Sequence, residues 1–207
     1  MQAVAWPRCS GHSAAHMAPI EFWFDFASTY SHLAALRIEQ AASGLEVIWR
    51  PFLLGPIFAE QGLRDSPFNA NPARGVYMWR DLERESAKYA VPYRRPSVFP
   101  RNSTLAARVA VAAAAEAWLP DYCRAVFRAN FIDDRDIADG AELESLLDSL
   151  PGEQRGFLER GEKGALRART EEAKARGLFG APSFLVAGEL FFGNDRLDDA
   201  VAFARSR

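Results

Sequence analysis

Residues 19–26 read PIEFWFDF and residues 27–31 read ASTYS, and the fold turns on how these two pieces join. The first is aromatic-rich and extended by propensity, which predicts a buried strand. The second holds hydroxyl residues of the kind that cap helices. Residues 32–42 then supply Leu33, Ala34, Ala35, Leu36, Ile38, Ala41 and Ala42, with only Arg37, Glu39 and Gln40 polar between them. That pattern predicts a largely buried helix ending near Gly44. Residues 45–52 (LEVIWRPF) partly alternate and end at a proline, giving a second strand. Together the three pieces form a βαβ unit with a right-handed crossover.

Strands return only at the far end of the chain. Ser183 to Val186 and Leu190 to Phe192, joined by Ala187-Gly188-Glu189, predict a hairpin, and Asn194-Asp195 then cap a last helix carrying Leu197, Ala200, Val201 and Ala204. Between the two ends the periodicity is helical. Helices are expected over 75–89, 102–118 behind an Asn-Ser cap, and 122–131. A further helix carries Leu143, Leu146, Leu147 and Leu150, and a charged one runs over 155–176 to a stop at Gly177. Residues 54–74, with three prolines, two glycines and two asparagines, predict a long loop. The expected fold class is α/β, a βαβ…ββα sheet domain (19–53 and 178–207) interrupted by an all-helical insertion (54–177).

Composition limits the partners. Of 207 residues 49% are hydrophobic and 25% charged, and 25 Lys+Arg against 27 Asp+Glu leave a net charge of -2. This balance offers no general attraction for nucleic acid or an anionic membrane, so a small molecule is the expected partner. Cys9 and Cys123 form no CxxC pair and no zinc-type cluster, no metal site is expected, and no apolar run reaches the ~18 residues of a membrane span. A cytoplasmic protein is expected. Residues 1–18, with His12 and His16, lack the apolar core of a signal peptide and read as a disordered tail or a start assigned too far upstream.

Three places carry chemistry. Ser28 stands at the start of a buried helix, where free N–H groups and the macrodipole favour an anion such as a thiolate. Ser28 and Ser31 are equally readable as plain N-caps. Pro182 in Gly180-Ala181-Pro182-Ser183-Phe184 precedes a strand and is readable as cis, which would turn the N–H and C=O of Ala181 toward a peptide-like ligand, or as an ordinary trans proline. Asn194 and Asp195 open the last helix, and either cap it or receive the α-carboxylate and α-amino groups of a ligand.

FDFAS (24–28), RPFLLGPIF (50–58), GVYMWRDLER (75–84), FPRNSTLAAR (99–108), GLFGAPSF (177–184) and FFGNDRLD (191–198) resemble, in family order, the 2-hydroxychromene-2-carboxylate isomerases and the related kappa-class glutathione transferases, within the DsbA-like thioredoxin superfamily. The resemblance implies glutathione as cofactor and Ser28 as the catalytic residue that stabilises its thiolate. It implies that Ala181 before a cis-Pro182 holds the cysteinyl part and that Asn194 and Asp195 hold the γ-glutamyl end. It adds a loop asparagine, Asn69 or Asn71 here, where relatives often show a short Thr-Gly-Asn stretch; Thr29 stands where they usually have proline. An aromatic substrate would lie against Phe26, Tyr30, Trp79 and Phe99, with Arg74 or Arg101 on its carboxylate, and relatives of this kind imply a homodimer. The implied activity is a glutathione-dependent isomerisation through reversible thiolate addition. The alternatives are a kappa-type transferase or peroxidase and a non-catalytic thiol-binding protein. A dithiol oxidoreductase is disfavoured, because Ser28 and Ser31 occupy the two CxxC positions.

Overall fold

A computed structural model describes residues 17–152 and 154–207; the reading of residues 1–16, including Cys9, His12 and His16, lies outside them. Strand β1 (Ile20–Phe24) leads through α1 (Thr29–Ala41) to β2 (Val47–Pro51). Seven helices follow: α2 (Leu54–Glu60), α3 (Pro67–Ala70), α4 (Pro72–Tyr89), α5 (Thr104–Ala112), α6 (Leu119–Phe131), α7 (Gly140–Asp148) and α8 (Phe157–Arg160). Helix α9 (Lys163–Ala175), strands β3 (Ser183–Val186) and β4 (Glu189–Phe192), a 3-10 turn (Asn194–Arg196) and α10 (Leu197–Arg205) complete the chain. The sheet order is β2-β1-β3-β4, with β1 parallel to β2 and antiparallel to β3. This is the α/β, thioredoxin-like arrangement expected from the two ends of the sequence.

Alternation along β1 decides the layers. Ile20, Phe22 and Phe24 point into the main core with Phe184 and Val186 of β3, against α1, α6 and α10, whereas Trp23 and Leu185 face Ala173 of α9. Phe22 pairs with Trp49 on one side and Phe184 on the other, with ring centroids 5.0 and 5.5 Å apart. Cross-strand aromatic contacts of this kind fix the register, since a one-residue slip would turn every one of these rings to the wrong face. The helical segment shares this core: Tyr122, Phe127, Leu143 and Leu147 join the same buried cluster as Phe22 and Phe24.

Four elements depart from the sequence reading. Residues 54–74 are not a long loop but hold α2, α3 and the start of α4. Pro67 and Pro72 open α3 and α4, and Pro56 lies in the first turn of α2, positions where the missing N–H removes no helix bond. The alanine-rich helix ends at Ala112, because Trp118 and Leu119 turn in to the core and packing overrides propensity. The charged helix is broken into α8 and α9 at Gly161, where a Cβ would lie 3.0 Å from that of Arg108 and where the Gly161 carbonyl accepts from Arg108 Nε at 2.6 Å. The β3–β4 connection is a two-residue turn, Ala187 and Gly188 both having positive φ (49° and 85°), the type that suits hairpin twist.

His32 on α1 is wholly buried, donates from Nε2 to the Pro92 carbonyl at 2.9 Å, and packs beside Phe127 and Phe131. Burial lowers its pKa to about 4 from 6.5. The unfolded chain therefore takes up the proton first, and His32 costs stability progressively as pH falls from about 6.5 to 4. Denaturant unfolding across that range should show wild type losing roughly 3 kcal/mol relative to His32→Gln, which keeps a donor for Pro92 but cannot titrate. Parallel pH curves for the two proteins would contradict this.

Candidate functional site

The amino end of α1 is built by its own residues. Asp25 ends the strand segment, its carbonyl accepts from Ser28 N–H at 2.9 Å, and its Oδ1 accepts from Ala27 N–H at 2.9 Å, which fixes a tight turn. Ser28 caps the helix (φ -82°, ψ 119°), its Oγ accepting from Ser31 N–H at 3.2 Å. The same hydroxyl donates to the Ala181 carbonyl at 3.0 Å, across 153 residues of sequence. Ala181–Pro182 is cis, and the Pro182 carbonyl accepts from Gly193 N–H at 2.9 Å. The first and last thirds of the chain thus meet at one hydroxyl.

Ser28 lies on the wall of a cleft of about 1160 Å³. Asp25, Ala27, Thr29 and Tyr30 adjoin it; α2 and residues 61–68 form a second wall, residues 99–104 a third, and Phe179, Gly180, Ala181 and Phe192 a fourth. Among the described residues the N–H groups of Thr29, Tyr30 and Ala181 take part in no hydrogen bond. Three free donors beside a capped helix start can receive an anion and the backbone of a peptide-like ligand.

The cleft brings some expected residues together and leaves others out. Ser28, Tyr30, Arg74, Phe99 and Ala181 line it. Tyr30 donates from its hydroxyl to Asp81 Oδ2 at 2.8 Å, and burial together with that carboxylate pushes its pKa up. Phe26 is not a wall of the cleft: it is fully buried between Phe24, Tyr122 and Phe127, because the chain after β1 still runs through the core. Trp79 also lies outside, packed on Tyr93 and Phe99 with Arg95 over its ring. Arg101 reaches the cleft but has no free guanidinium, since its Nη atoms donate to Asn130, Ser97 and Asp134. The Ser97 N–H and then the Arg101 guanidinium hold the Asp134 carboxyl down at about 2.

The asparagines are corrected too. Asn69 sits outside the cleft lining, its amide donating to Asp65 and to the Phe99 carbonyl. Asn71 caps α4 by accepting from Arg74 N–H. Asn194 is buried, its side-chain oxygen accepts from Arg37 at 3.1 Å and its amide donates to Glu85, so it serves the packing of α1, α4 and α10. Asp195 is exposed beside Arg196, one residue beyond Asn194 and outside the cleft lining. Asp195 is the one of the two with a carboxylate, and its ion pair among the described residues is with the likewise exposed Arg196 at 3.4 Å.

Several residues of the cleft escaped the sequence reading. Asp25 is buried at its floor and burial raises its pKa, while Leu54 N–H, Ser103 Oγ and Ala27 N–H donate to it. Arg64 lies on the α2 side with Arg74. Phe179 and Phe192, 51% and 44% exposed, form a tilted ring pair with centroids 4.6 Å apart along the fourth wall. A side chain at Gly180 would run into the Phe192 ring, so glycine there lets the aromatic pair close over the approach to Ala181. Exposed aromatic residues flanking a Gly-Ala-Pro turn were the available signal for this pair.

A family model for the DsbA-like thioredoxin domain matches residues 19–203. Two relatives are each named 2-hydroxychromene-2-carboxylate isomerase. The one from Sphingobium xenophagum is 30% identical over 187 residues, covering 86% of this chain and 94% of its own length. The one from Pseudomonas putida is 29% identical over 190 residues, covering 86% and 90%. Among solved structures, a 2-hydroxychromene-2-carboxylate isomerase superposes with a TM-score of 0.79 at 24% identity, over 89% of this chain and 93% of its own. The cytosolic disulfide reductase DsbM from Pseudomonas aeruginosa with GSH superposes at 0.62 and 19%, over 91% and 98%. The structural likenesses show the fold, and the residues matched by the family model include Ser28, the cleft and the cis-Pro182 turn. The chain therefore belongs to the DsbA-like thioredoxin family, alongside the 2-hydroxychromene-2-carboxylate isomerases.

Proposed function

We propose that this protein is a glutathione-dependent isomerase of 2-hydroxychromene-2-carboxylate-like aromatic compounds. The observation that carries the reading is the Ser28 hydroxyl, held at the start of α1 and against the Ala181 carbonyl on the wall of a large cleft. A thiol oxidoreductase would need a reactive cysteine there. Cys123, the free cysteine among the described residues, is fully buried and its thiol pKa is pushed well up, so it cannot serve.

The residues present suit glutathione. Ala181 offers an unpaired N–H and a carbonyl whose present donor is Ser28, so a peptide-like ligand adding as an extended strand can take both. The Ser28 hydroxyl can then turn its hydrogen from the Ala181 carbonyl, which keeps the ligand as donor, to a sulfur anion, with the open N–H groups of Thr29 and Tyr30 adding positive potential at the helix start. The exposed Asp195 carboxylate suits the α-amino group at the γ-glutamyl end. Bound glutathione would supply a thiolate for reversible addition to an electrophilic carbon of the substrate, and it would be regenerated each turnover. Arg74 and Arg64, which form no ion pair among the described residues, suit the substrate carboxylate, and Tyr30, Phe99 and the Phe179–Phe192 pair offer apolar contact to its ring.

Activity on 2-hydroxychromene-2-carboxylate should require glutathione without consuming it, and Ser28→Ala should lower kcat by about 10²–10³-fold with the fold intact, as for loss of one preorganised donor. Turnover unchanged in that variant, or a product carrying glutathione covalently, would overturn the isomerase reading. Asp195→Ala should raise the glutathione KM about tenfold and leave kcat nearly unchanged, because the lost charge-assisted contact is remote from the sulfur. The corresponding Asn194→Ala variant should instead lower thermal stability, since Asn194 is buried among protein partners.

A further inference from the structure

We infer that Asp25 is a positioning residue whose carboxylate sets the Ser28 turn, the start of α2 and the start of α5 relative to one another, and thereby the shape of the cleft. Its Oδ1 accepts from Ala27 N–H at 2.9 Å and from Ser103 Oγ at 2.7 Å; its Oδ2 accepts from Leu54 N–H at 2.8 Å. Leu54 and Ser103 lie 29 and 78 residues away in sequence, and both line the cleft, as Ala27 does. One buried group therefore joins three walls of the cleft.

Two features separate this from ordinary packing. Ser103 precedes α5 in the cap position yet makes no side-chain bond to its own helix; its hydroxyl is turned away to Asp25. Two of the partners, the Ala27 and Leu54 amides, can only donate, one to each oxygen, so both oxygens must accept, as they do in the ionised carboxylate. Burial works against that ionisation, and the three donors oppose burial. A carboxamide of the same shape cannot replace it. With its oxygen toward Ala27 and Ser103, its NH₂ meets Leu54 N–H, and α2 is released. Turned the other way, its NH₂ meets Ala27 N–H, and the Ser28 turn is released.

The test uses Asp25→Asn, Ser103→Ala and the double variant, read by backbone hydrogen exchange and by calorimetric titration with glutathione. The second readout rests on the proposed glutathione site; the first does not. In Asp25→Asn, exchange should quicken in residues 27–31 and 54–60 while β1 and β3 keep wild-type protection, and glutathione affinity should fall about tenfold, the effect of losing a hydrogen bond to a charged group. Ser103→Ala should give a smaller change in the same segments, and the double variant should be no worse than Asp25→Asn, because Ser103 acts through the carboxylate. Should Asp25→Asn fail to fold, Ser103→Ala alone decides by the same local exchange. Wild-type protection at 27–31 and 54–60, uniform loss of protection through β1 and β3, or full additivity in the double variant would overturn the inference. Absence of glutathione binding by the wild type would instead remove the proposed function, with the exchange results still deciding the role of Asp25.

Discussion

The amino end of α1 is the constraint on which the site depends, because one hydroxyl satisfies two demands there. Ser28 Oγ accepts the Ser31 N–H that the helix start leaves unpaired, and it donates its hydrogen to the Ala181 carbonyl. The first bond fixes the helix entry; the second holds the cis-Pro182 turn against it. Through Pro182 the arrangement extends to Gly193 and the turn that opens α10. The opposite ends of the sequence are therefore brought to one point by local capping chemistry, and the open N–H groups left beside it are donors that an anion could use.

The remaining polar groups of the interior mainly hold walls in place. Arg101 ties the segment before α5 to Asn130 and Asp134, and Asn130 in turn donates to the Phe26 carbonyl at 2.9 Å. Arg37 lies 3.5 Å above the Tyr89 ring, bonds Asn194, and pairs with Asp198. Each of these networks is buried or partly buried and joins elements far apart in sequence, so each contributes specificity of arrangement beyond what the apolar core supplies. The cleft is then a space between braced elements, lined by apolar rings and by the guanidinium groups of Arg64 and Arg74, which form no ion pair among the described residues.

The two ends of the chain were legible because their signals are local. Aromatic-rich, extended propensity gave β1, the short Ala187-Gly188-Glu189 connection gave the hairpin, and Ser28 stood where a cap was expected. The helices of residues 54–74 were hidden because proline reads as a breaker unless its place in the first turn is known, and that place depends on where the preceding strand ends. Site residues failed for a different reason. Phe26 and Asn194 have the right chemistry for binding, but long-range partners, Phe127 for one and Arg37 for the other, claim them for the core. Asp25 went unnoticed for the converse reason, since an acid beside a strand end carries no mark of the two segments that will later close over it.

If the α1 amino end, with Ser28, stabilises the thiolate of bound glutathione as proposed, the ultraviolet absorbance of the thiolate measures it directly. Titrated with saturating glutathione, the bound thiol should ionise well below the ~8.5 of a free cysteine thiol, and it should return toward that value in Ser28→Ala. A bound thiol that titrates at the free value in the wild type would contradict the account.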